Sequence, residues 1–211
     1  MKKQWLIIIV LIIVAIGLGF LLLPKEYQAP DNDTSAISTA TDEKNMIDIS
    51  NKRAILKTSM GDITVEFYPE DAPKTVENFI GLAQKGYYNG VIFHRVVADF
   101  VIQSGDPTGT GRSGDSFWGG TFADELNPNA ESYKTGYQKG VLAMANRGPN
   151  TNTSQFFIVL RDAPLDHLYT IFGKVVAGLD VVDKIGQVAT NPENDKPTTD
   201  VVIKSVEIKN K

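Results

Sequence analysis

The stretch FHRVVADFVIQSGDP, residues 93–107, predicts two short strands joined by a tight turn, and it contains an unexpected charge. Strict alternation would place Arg95 on the same strand face as Phe93 and Val97, among apolar side chains. A buried charge is unfavourable unless it is paired or used, which favours a functional role. The alternative is a surface arginine whose stem covers apolar surface while its head reaches water. This stretch alone leaves both interpretations open.

Around this stretch, the pattern predicts a mainly β domain over residues 52–211. Period-two alternation or short apolar runs predict eight strands, at 53–59, 62–67, 91–97, 100–104, 141–145, 154–160, 170–176 and 201–209. Amphipathic periodicity predicts one helix that begins near Pro73 and a second over 179–188. A Gly-rich segment, 106–139, separates the two halves. Many short strands with two helices indicate an eight-stranded antiparallel β-barrel capped by two α-helices.

The N-terminal segment has a different character. Residues 5–23 carry no charged side chain, and a helix of this length is about 28 Å long, close to the ~30 Å hydrocarbon core of a bilayer. The run is longer than the apolar part of a signal peptide and lacks a convincing cleavage pattern, so it predicts an uncleaved transmembrane anchor. Lys2 and Lys3 precede it. The positive-inside rule then predicts a cytoplasmic segment 1–4 and a single-pass cell-membrane protein whose folded domain lies on the extracytoplasmic side.

The composition of the remaining chain excludes several classes of protein. Residues 24–51 are rich in Asp, Asn, Ser and Thr without periodicity, which predicts a flexible linker. From residue 52 onward there are 17 Lys plus Arg against 19 Asp plus Glu and no cationic block, so nucleic-acid binding is not expected. The absence of cysteine excludes disulfides, thiolate nucleophiles and Cys-ligated zinc. The length fits one domain, which we expect to be a monomer.

Three patterns mimic functional motifs and are rejected. Residues 109–114 satisfy the dinucleotide fingerprint G-x-G-x-x-G, but Pro107 precedes them and no helix start follows, so we expect a turn-rich loop. His94 and His167 are the only histidines and lack metal-ligand spacing, so a metal site is not expected. The acidic pair at 124–125 is expected to be solvated surface rather than an acid/base dyad.

The remaining polar candidates are cationic and amide side chains without a nucleophile: Arg95, Gln103, Asn146 and Gln155. Such a set suits a surface that binds the main chain of an extended polypeptide. It also suits an enzyme whose reaction breaks no bond.

Three segments, in the same order, resemble the cyclophilins, the cyclosporin-sensitive peptidyl-prolyl cis-trans isomerases. They are FHRVVADFVIQSGDPTGTG at 93–111, GVLAMANRGPNTNTSQFFIVL at 140–160 and LYTIFGKVVAGLDVVDKI at 168–185. The similarity extends from about Ala54 to Lys209, and the whole chain resembles a bacterial-type, membrane-anchored member. The resemblance implies the same capped eight-stranded barrel and an isomerase that uses no cofactor.

The resemblance also implies the site. Arg95 of the FHR motif is implied to project into the substrate groove as the catalytic residue. The implied substrate-binding positions are Phe100, Val101, Gln103, Ala145, Asn146, Gln155, Phe157, Leu165 and Tyr169. Val101 and Tyr169 stand where many members have Met and His, and Ala-Asp at 98–99 replaces the usual Pro-Gly. Pro164 replaces the tryptophan of the W-L-D motif, so weak or no cyclosporin binding is expected.

The expected activity is faster rotation about X-Pro bonds in proline-containing polypeptides, and the predicted location suggests clients that fold after export. The alternative rests on Pro164 and on the altered turn at 98–99. In that interpretation the chain is a membrane-tethered module that binds proline peptides with little or no catalysis.

Overall fold

The computed structural model describes residues 47–211, which form eight strands and three helices. The strands are β1 (Lys52–Thr58), β2 (Gly61–Phe67), β3 (Arg95–Val97), β4 (Val101–Ser104), β5 (Val141–Met144), β6 (Phe156–Val159), β7 (Ile171–Ala177) and β8 (Ile203–Asn210). The helices are α1 (Pro73–Gln84), α2 (Glu131–Thr135) and α3 (Leu179–Gly186). The predicted segment 1–4, the predicted anchor 5–23 and residues 24–46 of the predicted linker lie outside the described residues.

The eight strands form one antiparallel sheet in the order β3-β4-β6-β5-β7-β2-β1-β8. The sheet curls until its two edges meet, because Ile92, just before β3, bridges Val202, just before β8. The Phe93 N–H also donates to the Val201 carbonyl at 2.9 Å. The prediction of a mainly β fold with eight antiparallel strands is therefore confirmed. Within residues 47–211, no helix has both the length and the apolar character needed to span a bilayer.

The inside of the curled sheet holds the larger core, here called the inner cluster. Its alternating positions on β2 are Ile63, Val65 and Phe67, as the period-two pattern predicts. Both long helices contribute buried side chains to it, Phe79 from α1 and Val182 from α3. Burial of these apolar side chains is the main term that holds the helices against the sheet.

The helices are three rather than the predicted two. Helix α1 begins at Pro73, whose fixed φ suits the first helical turn, and α3 covers most of the predicted segment 179–188. The additional helix, α2, is a short turn of helix within the Gly-rich segment 106–139. Five residues are too few to show helical periodicity, so the sequence carried no signal for α2.

The local structure around Arg95 also differs from the prediction. The predicted strand 91–97 is regular only from Arg95 onward, because residues 91–94 form the crossing where the two edges of the sheet meet. The alternation therefore does not extend back to Phe93. Phe93 is fully buried in the inner cluster, whereas Arg95 lies on the opposite, outer face of the sheet. The prediction that the two residues share a face is wrong.

A smaller apolar group, here called the outer cluster, covers the outer face of the sheet. Its buried members are Val101, Tyr137, Val141, Ala143, Phe157, Val159 and Ile171. Partly buried residues pack around its margin, among them Phe100, Leu165 and Tyr169. Arg95 therefore projects from the edge strand β3 beside an apolar surface rather than into the barrel core.

Candidate active site

Strand register brings three of the predicted site residues side by side. Arg95 on β3 pairs with Gln103 on β4, and Gln103 pairs with Phe157 on β6. Residues directly opposite one another in antiparallel strands project from the same face. One row across three strands thus carries a cation, an amide and an aromatic ring, although Arg95 and Phe157 are far apart in the sequence.

This row borders a pocket on the outer face with a volume of about 140 Å³. Its nine lining residues are Arg95, Phe100, Val101, Gln103, Ala145, Asn146, Phe157, Leu165 and Tyr169. The lining joins apolar walls to two amides and one guanidinium. Of the ten predicted site residues, only Gln155 does not line the pocket.

Tyr169 forms one apolar wall and is rigidly held. Its ring meets that of Phe157 edge to face, with centroids 5.5 Å apart, a favourable aromatic arrangement. The Tyr137 hydroxyl donates to the Tyr169 carbonyl at 2.8 Å and accepts from the Tyr169 N–H at 3.0 Å. Burial raises the pKa of Tyr137 above its ordinary value, so the hydroxyl keeps its proton and this double contact persists across physiological pH.

Gln155 lies behind the pocket and is buried. Its Oε1 accepts a 3.0 Å hydrogen bond from Gln103 Nε2, and its own Nε2 donates to the Ser113 carbonyl at 2.7 Å. One of the two N–H donors of the Gln103 amide is used in this chain of bonds, and the Gln103 Oε1 has no hydrogen-bond partner within residues 47–211. Gln155 therefore orients a pocket residue instead of contacting the pocket itself.

The Asn146 side chain is also tied to the protein. Its Nδ2 donates to the Leu168 carbonyl at 2.8 Å, and its Oδ1 accepts from the Gly148 N–H at 3.3 Å. The main-chain N–H and C=O of Asn146 have no hydrogen-bond partner within residues 47–211, so Asn146 can offer them to a bound chain.

Arg95 is neither buried nor freely solvated: its side chain is 39% exposed. Its Nε lies 3.3 Å from Oδ2 of Asp195, which belongs to a loop 100 residues further along the chain. Both interpretations left open by the sequence are therefore incomplete, because Arg95 combines an exposed position with a specific partner. Asp195 was missed by the sequence reasoning, since no local pattern links the two residues.

The rejected fingerprint 109–114 lies in a loop that wraps around a buried carboxylate. Asp106 accepts hydrogen bonds from the main-chain N–H groups of Thr108, Thr110, Arg112 and Ser113, at 2.7–3.2 Å. Burial alone would raise the pKa of Asp106, but the hydrogen bonds from Thr108, Ser113 and Thr110 outweigh it and hold that pKa well below its ordinary value. The absence of a helix here agrees with the rejection. The Asp-x-Thr-x-Thr spacing is a turn signal that could have identified this loop.

The acidic pair at 124–125 is structural and is not simply solvated, so that expectation is wrong. Glu125 accepts hydrogen bonds from the N–H groups of Lys74 and Thr75, at 3.0 and 2.8 Å, and so caps the N-terminus of α1. Asp124 accepts from the Asn150 N–H and the Asn152 Nδ2, both at 2.7 Å. Neither carboxylate lines the pocket beside Arg95.

Comparison with known proteins identifies the family. The sequence model described as "Cyclophilin type peptidyl-prolyl cis-trans isomerase/CLD" matches residues 53–208. The chain belongs to the cyclophilin family. It is thus a cyclophilin-type peptidyl-prolyl cis-trans isomerase, as the three quoted segments predicted.

Among its relatives is the Peptidyl-prolyl cis-trans isomerase-like 1 of Aspergillus fumigatus, 55% identical over 150 residues, which cover 71% of this chain and 90% of the relative. The Peptidyl-prolyl cis-trans isomerase ppi1 of Schizosaccharomyces pombe is 54% identical, with 72% and 96% covered. A crystal structure of a cyclophilin type isomerase of Cryptosporidium parvum, determined in the presence of the dipeptide Ala-Pro, shares 36% identity with a TM-score of 0.70. It matches 75% of this cyclophilin and 99% of the solved chain.

These relatives correct two predictions. They are eukaryotic proteins, so the bacterial-type assignment receives no support. The predicted location, a single-pass cell-membrane protein with its domain outside, is wrong. The relatives that overturn it are the isomerase-like 1 proteins and the WD repeat-containing isomerase of Mus musculus, which point away from such a location. A role in folding exported proteins depended on that location and is therefore not supported.

No group of three or more His, Asp or Glu side chains within residues 47–211 is arranged to hold a metal ion. The residues that line the pocket offer a guanidinium, two amides and an apolar surface.

Proposed function

We propose that the pocket beside Arg95 binds the proline of polypeptide substrates and that Arg95 accelerates rotation about the preceding X-Pro bond. The observation that carries this proposal is the placement of one guanidinium at the rim of an apolar pocket of about 140 Å³. The pocket takes a small apolar ring, and the guanidinium supplies hydrogen-bond donors to atoms at its mouth.

The barrier to rotation arises from amide resonance and is about 20 kcal/mol. Resonance is lost when the prolyl nitrogen becomes pyramidal and its lone pair is no longer shared with the carbonyl. A donor aimed at that lone pair binds the twisted bond more strongly than either planar form, and only such a difference speeds the reaction. The guanidinium of Arg95 is that donor.

The size of the required effect is within reach of the site. An acceleration of about 10⁵-fold corresponds to roughly 7 kcal/mol of transition-state stabilisation. A charge-assisted hydrogen bond contributes part of it. Fixed orientation of the substrate contributes the rest, since the bond must be held in line with the arginine.

The other lining residues hold the substrate. Phe100, Phe157 and Leu165 enclose the proline ring, with Val101, Ala145 and Tyr169 completing the apolar surface. The Gln103 Oε1 and the main chain of Asn146 bind the peptide groups on either side, because these groups have no hydrogen-bond partner within residues 47–211.

The alternative, a proline-peptide-binding module with little or no catalysis, rests on the altered turn at 98–99 and on Pro164. That residue is exposed and lines a neighbouring cavity, which shares Leu165 with the proline pocket but not Arg95. Loss of the family tryptophan therefore leaves all nine lining residues in place, which favours the isomerase.

The test is exchange NMR on a short X-Pro peptide with the full-length chain, without a coupled protease. We expect clear acceleration by the wild type, loss of nearly all of it in Arg95→Ala, and a loss of about 10- to 150-fold in Arg95→Lys, which keeps the charge but not the planar fork. Arg161→Ala removes an arginine that is exposed and paired with Asp99, and serves as the control. Binding of the peptide by the wild type without acceleration would establish the binding module instead.

A further inference from the structure

Strand β3, which carries Arg95, is an edge strand of the sheet, and a loop lies along it. The loop is closed at its base by a bridge between Thr190 and Pro197. At its tip, the Val96 N–H donates to the Asp195 carbonyl at 2.9 Å. The loop therefore extends the edge of the sheet beside the residue that follows Arg95.

Asp195 is held in an uncommon backbone conformation, with φ at +58°. Its own N–H donates to the Asn191 carbonyl at 2.9 Å, and its carbonyl accepts from Val96, so both main-chain polar groups of Asp195 are hydrogen-bonded. Aspartate and asparagine tolerate this left-handed region better than most residues. The direction of the Asp195 side chain is thus set by the loop and not by the ion pair alone.

The carboxylate of Asp195 contacts a particular atom of Arg95. Oδ2 lies 3.3 Å from Nε, the nitrogen nearest the aliphatic stem. This ion pair draws the Nε edge of the planar guanidinium toward Asp195 and leaves the two terminal amino groups without a partner within residues 47–211. Those amino groups form the end of a side chain that lines the proline pocket.

We propose that Asp195 is a positioning residue for Arg95, which it holds at Nε so that the terminal amino groups of the guanidinium face the substrate. The proposal rests on the proposed function, because it assigns to Asp195 a part in the action of Arg95. Asp195 itself lies outside the pocket lining.

The exposure of the Arg95–Asp195 ion pair distinguishes a positioning role of Asp195 from a contribution to the stability of the fold. The two side chains are 39% and 42% exposed, and ion pairs at such positions add little to the free energy of unfolding. Loss of the Asp195 carboxylate should therefore reduce the rate of isomerisation and leave stability nearly unchanged. The interaction should also weaken with salt, as exposed charge pairs do.

The experiment compares Asp195→Asn and Asp195→Gly in the full-length chain. Asparagine and glycine both accept a positive φ, so neither substitution strains the loop. The control is Asp183→Asn, which removes a carboxylate of similar exposure paired with Lys139 at 2.8 Å, away from the pocket. Exchange NMR at low and at saturating peptide separates the turnover rate from peptide affinity. The Nε–H resonance of Arg95 reports directly on the order of the guanidinium.

We expect Asp195→Gly to lower the turnover rate about 3- to 10-fold, with a smaller loss in Asp195→Asn, which keeps an oxygen acceptor. Peptide affinity and the urea midpoint should stay close to wild type, the Arg95 Nε–H should become less ordered, and the Asp183→Asn control should match wild type. In the Arg95→Ala background, Asp195→Gly should have no further effect, since the two residues act as one unit.

Two outcomes would overturn the assignment. One is a wild-type turnover rate in Asp195→Gly. The other is that Asp195→Gly lowers the turnover rate by the same factor in the wild type and in the Arg95→Ala background. Either result would leave the role of Arg95 intact, provided that Arg95→Ala itself abolishes the acceleration. If Arg95→Ala keeps the wild-type rate, the proposed function is wrong, and the inference about Asp195 is wrong as well.

Discussion

Gln103 and Gln155 are joined by a 3.0 Å hydrogen bond from Nε2 of the first to Oε1 of the second, and this bond determines how the Gln103 amide faces the pocket beside Arg95. The orientation is maintained from behind by the Ser113 carbonyl, which accepts from Gln155 Nε2 at 2.7 Å. The pocket thus depends on a buried amide that does not line it.

Gln155→Met tests this dependence. The variant leaves the Ser113 carbonyl without its donor, so we expect the free energy of unfolding to fall by about 1–3 kcal/mol. Release of Gln103 should also lower the isomerisation rate by roughly 10-fold, since one oriented hydrogen bond to the substrate is lost. Urea unfolding and exchange NMR measure the two effects. The exposed Gln138→Met is the control, and an unchanged rate in a destabilised Gln155→Met would show that the orientation of Gln103 does not matter.

Glu125→Ala removes the cap of α1, because its carboxylate accepts from two N–H groups of the first turn and from the Thr75 hydroxyl. We expect a loss of about 1–2 kcal/mol in the free energy of unfolding, measured by urea titration. The isomerisation rate of the folded protein should be unaffected. Glu193→Ala, at an exposed loop position, should change neither quantity. A free energy of unfolding in Glu125→Ala equal to that of the wild type would contradict the capping role.

His94 makes stability depend on pH. It is 6% exposed, and neither ring nitrogen has a hydrogen-bond partner within residues 47–211. Burial lowers the pKa of His94 below its ordinary value, the positive charges of Arg95 and Lys196 add to this, and Asp106 opposes it. Below about pH 6.5 the unfolded chain therefore binds a proton that the folded chain resists, so stability falls as the pH falls toward the lowered value.

His94→Phe should remove this part of the pH dependence. We expect the wild type to lose stability as the pH falls below about 6.5, by no more than about 1.4 kcal/mol per pH unit for this single group. The variant should show a flatter profile over the same range, measured as urea midpoints at several pH values. A His94→Phe profile parallel to wild type would contradict the assignment.

Pro164→Trp should restore sensitivity to cyclosporin. Pro164 is exposed at a cavity of about 420 Å³ that adjoins the proline pocket through Leu165. An indole at this position adds an apolar wall and an N–H donor, so we expect inhibition at least about 10-fold tighter, or ~1.4 kcal/mol. Inhibition of peptide isomerisation is the measurement, with Pro128→Trp, also exposed, as control. No gain would mean that the weak binding predicted for the wild type has another cause.

Local patterns predicted the elements that are stabilised by local regularity. The alternation of Ile63, Val65 and Phe67 predicts β2 because a half-buried strand requires a period of two, and Pro73 marks the start of α1 because its fixed φ suits a first turn. The same reasoning failed at Phe93, where the strand pattern is interrupted by the crossing with Val201. That interruption depends on a partner segment more than 100 residues away.

The sequence by itself determined the family, the strand set and the residue types of the pocket, because each is written in short motifs or in periodic burial. Only the tertiary structure decided that Asp195 meets Arg95, that Glu125 caps α1 and that Gln155 stands behind Gln103 rather than in the pocket. Such contacts join segments that lie far apart in the sequence and meet only in the folded chain. They leave no local periodicity, since the energy that selects each partner depends on distance in space and not on spacing along the chain.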